Sequence, residues 1–304
     1  MSIWNKYFRP SKQKQLDESL LWQEATTKDQ IWRRFAKHKL AVVGLFLIGF
    51  ITLLAILAPW ITPYHPHEIT NAFGAPPSKE HWLGTDQIGR DQFSRLIYAA
   101  RVSLAVGIGS VLIASAIGTV LGLVSGYFGG WIDSLIMRIT DMFMSFPYIM
   151  LILVVAAIVG PGLINIILIL GFLGWPAVAR LVRGNVLAIK QSDYIKAAQA
   201  LGYKTPRILS MHILPNTLAP ILIYATSGVA AAILDEAALS FLGLGVQPPD
   251  ASWGNMLSSA QSLSVLTSQP WLWLPPGIMV LLTVLSINYV GDALRDAFDP
   301  KNNK

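Results

Sequence analysis

The sequence contains no cysteine, and only 13% of its 304 residues are Asp, Glu, Lys or Arg. The first absence excludes disulfides, thiolate metal sites and thiol nucleophiles together. The second excludes the surface of an ordinary water-soluble domain, which carries about twice that charge. A Gly-rich phosphate loop ending in Gly-Lys-Ser or Gly-Lys-Thr is also missing. Gly202-Tyr203-Lys204-Thr205 comes nearest and lacks the glycine before lysine. ATP hydrolysis by this chain is therefore not expected. No basic run is interleaved with aromatics in a soluble module, so nucleic acid is not an expected partner. What is present is apolar: 53% of residues are hydrophobic, the mean hydropathy is +0.51, and these residues fall in uninterrupted blocks. That pattern predicts an integral membrane protein in contact with lipid.

A membrane span needs about 20 mostly apolar residues. Leu40–Ile61 qualifies and follows 39 largely polar residues, so it is not read as a cleaved signal. Val102–Val124 is the second span. Met142–Val159 is the third, with a start drawn back toward Trp131 by the turn at Gly129 and Gly130. Leu163–Ala179, Thr217–Leu234 and Trp271–Gly291 follow. Six spans place both termini on one side. Nineteen of the 23 Lys and Arg fall in segments on that side, so the positive-inside bias makes it cytoplasmic. Lipid requires internally satisfied backbones, and the expected fold is an all-α six-helix bundle. The resulting organisation is a cytoplasmic tail over 1–39, the first helix over 40–61 and an extracytoplasmic segment over 62–101. A core over 102–291 then holds helices two to six, with a cytoplasmic loop at 180–216 and an extracytoplasmic segment at 241–270. The tail over 292–304 is cytoplasmic.

Gly118, Gly122 and Gly126 repeat every four residues, a stripe that lets another helix approach closely, though glycine is also simply common in membrane helices. Pro147, Pro176 and Pro275-Pro276 are expected to break or kink their helices. Thr27 and Gln30 form a capping-box pattern before Ile31-Trp32-Arg33-Arg34-Phe35. That segment reads either as a helix lying on the membrane surface or as a solvated lead-in.

The loop Arg180–Asn216 is too long for a plain connection. Ser192 can cap a helix over Asp193–Leu201 that Gly202 ends in a left-handed turn. Thr205 can cap a second helix with Pro206 at its first position, stopping before Pro215. The small residues Ala197, Ala198 and Ala200, with Leu201, suit either docking to a partner surface or packing back on the spans.

Tyr194-Ile195-Lys196-Ala197-Ala198-Gln199-Ala200-Leu201-Gly202, followed by His212-Ile213-Leu214-Pro215, resembles the cytoplasmic loop of ABC importer permeases: Glu-Ala-Ala, three residues, Gly, nine residues, Ile, any residue, Leu-Pro. Ala197, Ala198, Gly202, Leu214 and Pro215 stand in register, while Lys196 replaces the usual Glu and His212 the usual Ile. Gly84-Thr85-Asp86-Gln87-Ile88-Gly89-Arg90-Asp91 and Arg101-Val102-Ser103-Leu104 narrow the resemblance to the second (C-type) permease of dipeptide, oligopeptide and nickel importers. Leu239-Ser240-Phe241-Leu242-Gly243-Leu244-Gly245, Ser252-Trp253-Gly254 and the terminal Asn288, Gly291, Asp292, Arg295 and Asp296 do the same. The resemblance implies a type I importer fold and no enzymatic activity. It implies a second homologous permease, two cytoplasmic ATPase subunits that bind the ATP and Mg, an extracytoplasmic solute-binding protein and a prokaryotic cell membrane. It also implies an ATPase-docking helix carrying Tyr194, Lys196, Ala197, Ala198, Ala200, Leu201 and Gly202.

Asp235 and Glu236 close the fifth span at its outer end, where a carboxylate costs less than the about 2.5–3.5 kcal/mol it would at a helix centre. They read as solute-path groups, as snorkelling groups, or as partners of Arg95 or Arg101. Glu236 fits the family pattern and Asp235 departs from it. Arg138 and Asp141 are spaced to pair on one helix face. Asp292, Asp296 and Asp299 suit a cytoplasmic cap or an ATPase contact. His65 and His67 are too close in a Pro-flanked loop to make an expected metal site with His81. The expected function is a permease for peptides that forms half of a solute path. Nickel or another small solute stays open, an ion-coupled transporter lacks the mid-span charges and internal repeat it would need, and a non-transporting scaffold would not need the loop.

Overall fold

A computed structural model of the chain describes residues 32–298. Apart from two isolated β-bridges, Ile69 with Arg90 and Thr85 with Asp91, the regular structure among the described residues is helical. A short helix α1 over 32–37 leads into α2 (Lys39–Ile61), and a loop over 62–91 leads to α3 (Gln92–Phe128). Helices α4 (Gly130–Met144) and α5 (Tyr148–Val159) follow, then α6 (Leu163–Lys190), α7 (Asp193–Ala200) and α8 (Thr205–Ile208). A π-helical turn, Leu209–Ile213, joins α8 to α9 (Leu214–Phe241). The segment after α9 contains α10 (Trp253–Leu257), a 3-10 turn (Ser258–Gln261) and α11 (Leu263–Ser268), and α12 (Pro270–Phe298) ends the described chain.

Among the described residues, α2, α3, α6, the run through α8 and α9, and α12 are long and apolar enough to cross a membrane; α4 and α5 pass the same test only as a pair, bent by 85°, and bring the total to six where the pair counts as one span. Phe35 packs with Ala41, Ala293 and Ala297, and His38 Nε2 lies 3.4 Å from Asp296 Oδ2. The two ends of the described chain therefore lie side by side, which requires an even number of passes. This contact also occupies Asp296, and Phe35 is buried against α12 rather than offered to lipid. The capping pattern at Thr27, and Asp299, lie outside the described residues.

Three expectations change. The third span is bent rather than straight: Pro147 lacks the N–H that would continue α4 and instead stands at the start of α5. The helices overrun their apolar cores, and α3 begins ten residues before Val102 because Asp91 caps it, accepting from Ser94 N at 2.8 Å. Pro215 does not stop the preceding helix. Leu214 N bonds back to Leu209 O, a π-type turn that carries the chain past the proline into α9.

The tightest packing is α3 against α6. A Cβ on Gly118 would lie 2.5 Å from Val178 Cβ and 2.8 Å from Trp175 O. On Gly122 it would lie 2.6 Å from Ala179 O and 2.7 Å from Val182 Cβ, and on Gly126 2.8 Å from Val186 Cβ. Glycines on α3 and valines on α6, both four residues apart, thus mesh as two stripes. Gly122→Ala should destabilise the protein by about 1–3 kcal/mol, because its methyl meets backbone that cannot rotate away. Gly49→Ala on α2, with nothing within 4 Å, should be neutral or stabilising by up to about 1 kcal/mol, since alanine is the better helix former. Thermal melting of the purified variants checks the pair, and equal melting temperatures would contradict the packing.

Candidate functional site

Two places in the bundle carry exposed or polar groups that the fold alone does not require. The first is α7. Ser192 stands at its N-cap with extended backbone, but its hydroxyl donates to Ile189 O at 2.6 Å rather than capping the helix. At the other end Gly202 takes φ +79°, with Gly202 N bonded to Gln199 O and Tyr203 N to Ala198 O. These are the two bonds of a Schellman motif, which only glycine completes without strain. The turn that follows differs from expectation. Lys204 is the N-cap of α8, Thr205 its first residue and Pro206 its second, a position that still needs no intrahelical N–H.

The helix divides its residues between two faces. Ile195 is fully buried in a cluster with Val182, Val186, Ile208 and Ile213, and Ala198 on the same face of the helix is nearly buried. Tyr194 is 47% and Leu201 75% exposed, and Lys196, Ala197 and Ala200 are exposed with them. The expected docking set therefore separates: Ala198 anchors the helix, and the others present its outer face. Lys196 Nζ lies 3.4 Å from Asp193 Oδ1 in an exposed pair, a contact of about 0–1 kcal/mol. Tyr203, stacked on His212 and under the Arg207 guanidinium at 4.8 Å, braces the turn.

The second place is the upper half of α9, where the adjacent carboxylates point in different directions, about 100° apart around the helix. Glu236 is 0% exposed. Its Oε1 accepts from Ser240 Oγ and Ser252 Oγ, both at 2.6 Å, and its Oε2 accepts from Ser103 Oγ at 3.4 Å. The same serines reach further. Ser252 caps α10 by accepting from Asn255 N, Ser103 accepts from Trp253 N at 3.1 Å, and Ser240 accepts from Val246 N at 3.0 Å. Trp253, fully buried, donates Nε1 to Leu96 O at 3.2 Å. Glu236 is thus the centre of a knot joining α3, α9 and α10, with its desolvation offset by three hydroxyl donors.

Asp235 faces a cavity of about 420 Å³ instead. Its walls include Ser110 and Ser115 of α3, Phe143 and Phe146 at the α4–α5 break, Tyr148 of α5, Pro176 of α6 and Tyr224 of α9. Among the described residues Asp235 has no hydrogen-bond or ion-pair partner, and the Ser115 hydroxyl in the same wall has none either. Toward the end of its span an ionised Asp costs less than the about 2.5–3.5 kcal/mol of a helix centre, yet with no partner to hold it Asp235 makes no structural contact that would explain its presence on the cavity wall. Of the alternatives open in sequence, ion pairs with Arg95 or Arg101 do not form among the described residues. Arg95 lies near Asp86 and donates to Pro66 O and Pro249 O, while Arg101 lies 5.9 Å from the Tyr98 ring centroid.

Other sequence-derived pairings are also redrawn. Asp141 pairs with Arg180 rather than Arg138, and Asp133 takes a bidentate fork from Arg183, each nitrogen at 2.6 Å. The reason is that α6 lies beside α4 and brings Arg180 and Arg183 to the acidic residues of α4, with Arg183 adding a two-pronged contact. His81 is buried with Nδ1 2.8 Å from Asp91 Oδ1, and His67 lies 3.5 Å from Asp250. No group of three His, Cys, Asp or Glu suited to a metal ion occurs among the described residues. Tyr148, Tyr224, Ser110 and Ser115 were not anticipated. The only advance signal was a tyrosine or serine inside an otherwise apolar block.

Residues 118–304 match the model of the binding-protein-dependent transport system inner membrane component, and residues 26–77 match that of the N-terminal TM domain of oligopeptide transport permease C. The chain is 46% identical over 282 residues to the dipeptide transport system permease protein DppC of Alkalihalophilus pseudofirmus, covering 92% of this chain and 90% of the relative. It is 44% identical to the glutathione transport system permease protein GsiD of Pectobacterium atrosepticum, covering 90% of each. Among solved structures it resembles a chain of the MetNI methionine ABC transporter in inward-facing conformations, with a TM-score of 0.55 and 21% identity. That match covers 67% of this chain and 97% of the other, and it speaks to the fold.

The two carboxylates should respond differently to truncation. Glu236→Ala leaves three buried hydroxyls without their acceptor and should destabilise the protein by about 3 kcal/mol or more. Asp235→Ala removes an unpartnered charge and should be neutral or stabilising. Melting of the purified variants in detergent decides between these roles, and the reverse order would overturn the assignment.

Proposed function

The chain belongs to the binding-protein-dependent transport system inner membrane component family, membrane transport permeases rather than enzymes, and we propose that it imports peptides as one half of an ATP-driven transporter. Its relatives DppC and GsiD are named for dipeptide and glutathione transport, which supports a short peptide as the solute. The proposed assembly contains a second, homologous permease that closes the other half of the path, two cytoplasmic ATPases that bind ATP and Mg, and an extracytoplasmic solute-binding protein. The proposed setting is a prokaryotic inner membrane with both termini cytoplasmic. Nineteen of 23 basic residues lie on that side of the sequence-derived topology.

The observation that carries the reading is the two-faced α7. A helix of eight residues, anchored through Ile195 and Ala198 and ended at Gly202, holds Tyr194, Ala197 and Leu201 outward where no other part of the described chain covers them. Such a face suits a groove on an ATPase, and its anchorage on α6 and α9 gives a nucleotide-driven motion something stiff to act on. Solute released by the binding protein would enter between the two permeases along the wall that contains Asp235. ATP binding and hydrolysis by the partners would then rearrange the helices and reset them.

Two measurements test this. Purification under mild conditions should bring down an ATPase whose hydrolysis rises with a dipeptide and the binding protein, and the absence of any ATPase would sink the proposal. Gly202→Val forces a β-branched residue into left-handed backbone, costing about 1–2 kcal/mol. It should lower peptide uptake by about tenfold while the chain still inserts and its melting temperature falls by only a few degrees.

A further inference from the structure

The cavity beside Asp235 has the composition of a cation site. One carboxylate stands in its wall without a partner, and no Lys or Arg lines it. The two arginines that the sequence offered as partners are engaged elsewhere, Arg95 with Asp86 and two carbonyls, Arg101 over Tyr98. Aromatic rings complete the lining: Tyr148 and Tyr224, with Phe143 and Phe146 on the far side of the α4–α5 break. Carboxylate and aromatic faces together recognise an organic ammonium, the first by charge and hydrogen bonding, the second by its ring quadrupole. The same wall repels carboxylates. A volume of about 420 Å³ falls within the range that receives small organic ligands, and the same wall holds the unpartnered Ser115 hydroxyl.

We propose that Asp235, with the rings of Tyr148 and Tyr224, is an ammonium subsite on the solute path that takes the protonated amino terminus of a peptide. This deepens the peptide-import reading and rests on it. Glu236 is not part of the subsite; its oxygens are occupied by serines, and its role is to hold α9 so that Asp235 faces the cavity. The free terminus of a peptide distinguishes it from an N-acetylated one by a single charge, so the subsite makes a specific demand on the solute.

The natural absence of cysteine permits a direct test. Ala231 is exposed, lies one turn before Asp235 and lines the same cavity, so Ala231→Cys places a reporter thiol in it. In the permease–ATPase complex in vesicles, a cationic methanethiosulfonate should label this thiol at least about tenfold faster than an anionic one, and Asp235→Asn should collapse that ratio toward one. A free dipeptide at millimolar concentration should slow labelling, the N-acetylated dipeptide should do so several-fold less, and the difference should vanish in Asp235→Asn. Equal labelling by the two reagents, a ratio unchanged in Asp235→Asn, or equal protection by the two peptides would overturn the subsite. Failure of the peptide reading shows separately: the unaltered transporter would then take up no dipeptide, whatever the labelling ratio of the Ala231→Cys variant.

Discussion

One buried carboxylate organises the upper half of this bundle. Glu236 has no water to hydrate it, so it persists only because Ser103, Ser240 and Ser252 supply hydroxyls. Each serine also accepts a backbone N–H from the segment that follows α9. The carboxylate therefore fixes where α3, α9 and α10 meet. The close approach of Gly254 to Ala237 and the burial of Trp253 both depend on that meeting point. It fixes the rotation of α9 as well, and with it the direction in which Asp235 points. A charge that would be a liability in lipid becomes, when fully hydrogen-bonded, the register mark for three helices.

The spans were legible because lipid imposes a simple rule: apolar blocks of sufficient length, with basic residues collected at alternate ends. Where the helices end was less legible, since Asp91 and Gly243 lie beyond the apolar blocks: Asp91 caps the start of α3, and Gly243, at φ +80°, closes the end of α9 with Gly243 N bonded to Ser240 O and Leu244 N to Leu239 O. Pro215 misled because its sequence signal concerns only the α-helical ladder, while a π turn changes which carbonyl is left over. The α7 helix and its glycine turn were readable almost to the residue, because Asp193 and Gly202 act locally.

Adjacent positions on α9 were the hardest to separate. Asp235 and Glu236 share composition, spacing and span, and differ only in rotation about the helix, which is set by serines 16 and 133 residues away. A sequence contains those serines but not their convergence. Matching the family pattern favoured Glu236, and the pattern was informative about architecture: the blocks around Ser103, Ser240 and Ser252 are the ones that converge on it. The residue outside the pattern faces the cavity. The same limit explains Asp141, whose partner Arg180 lies 39 residues away on a neighbouring helix rather than three residues away on its own.

These contacts also determine how a push at α7 would be distributed. Val178, Val182 and Val186 of α6 belong to the apolar cluster that seats Ile195, and the same three side chains fill the spaces left by Gly118, Gly122 and Gly126. Close-packed interfaces transmit displacement rather than absorb it, so α7, α6 and α3 act as one body. Helix α4 is joined to that body by Asp133–Arg183 and Asp141–Arg180. The chain then turns through 85° between Met144 and Tyr148, where no ladder hydrogen bond from Pro147 stiffens it. Phe143, Met144, Phe146 and Tyr148 at that break are also walls of the Asp235 cavity. Rotation at the break would thus reshape the cavity without unpacking the glycine stripe, which places the deformable element of the fold at the candidate solute site and the rigid one beneath it.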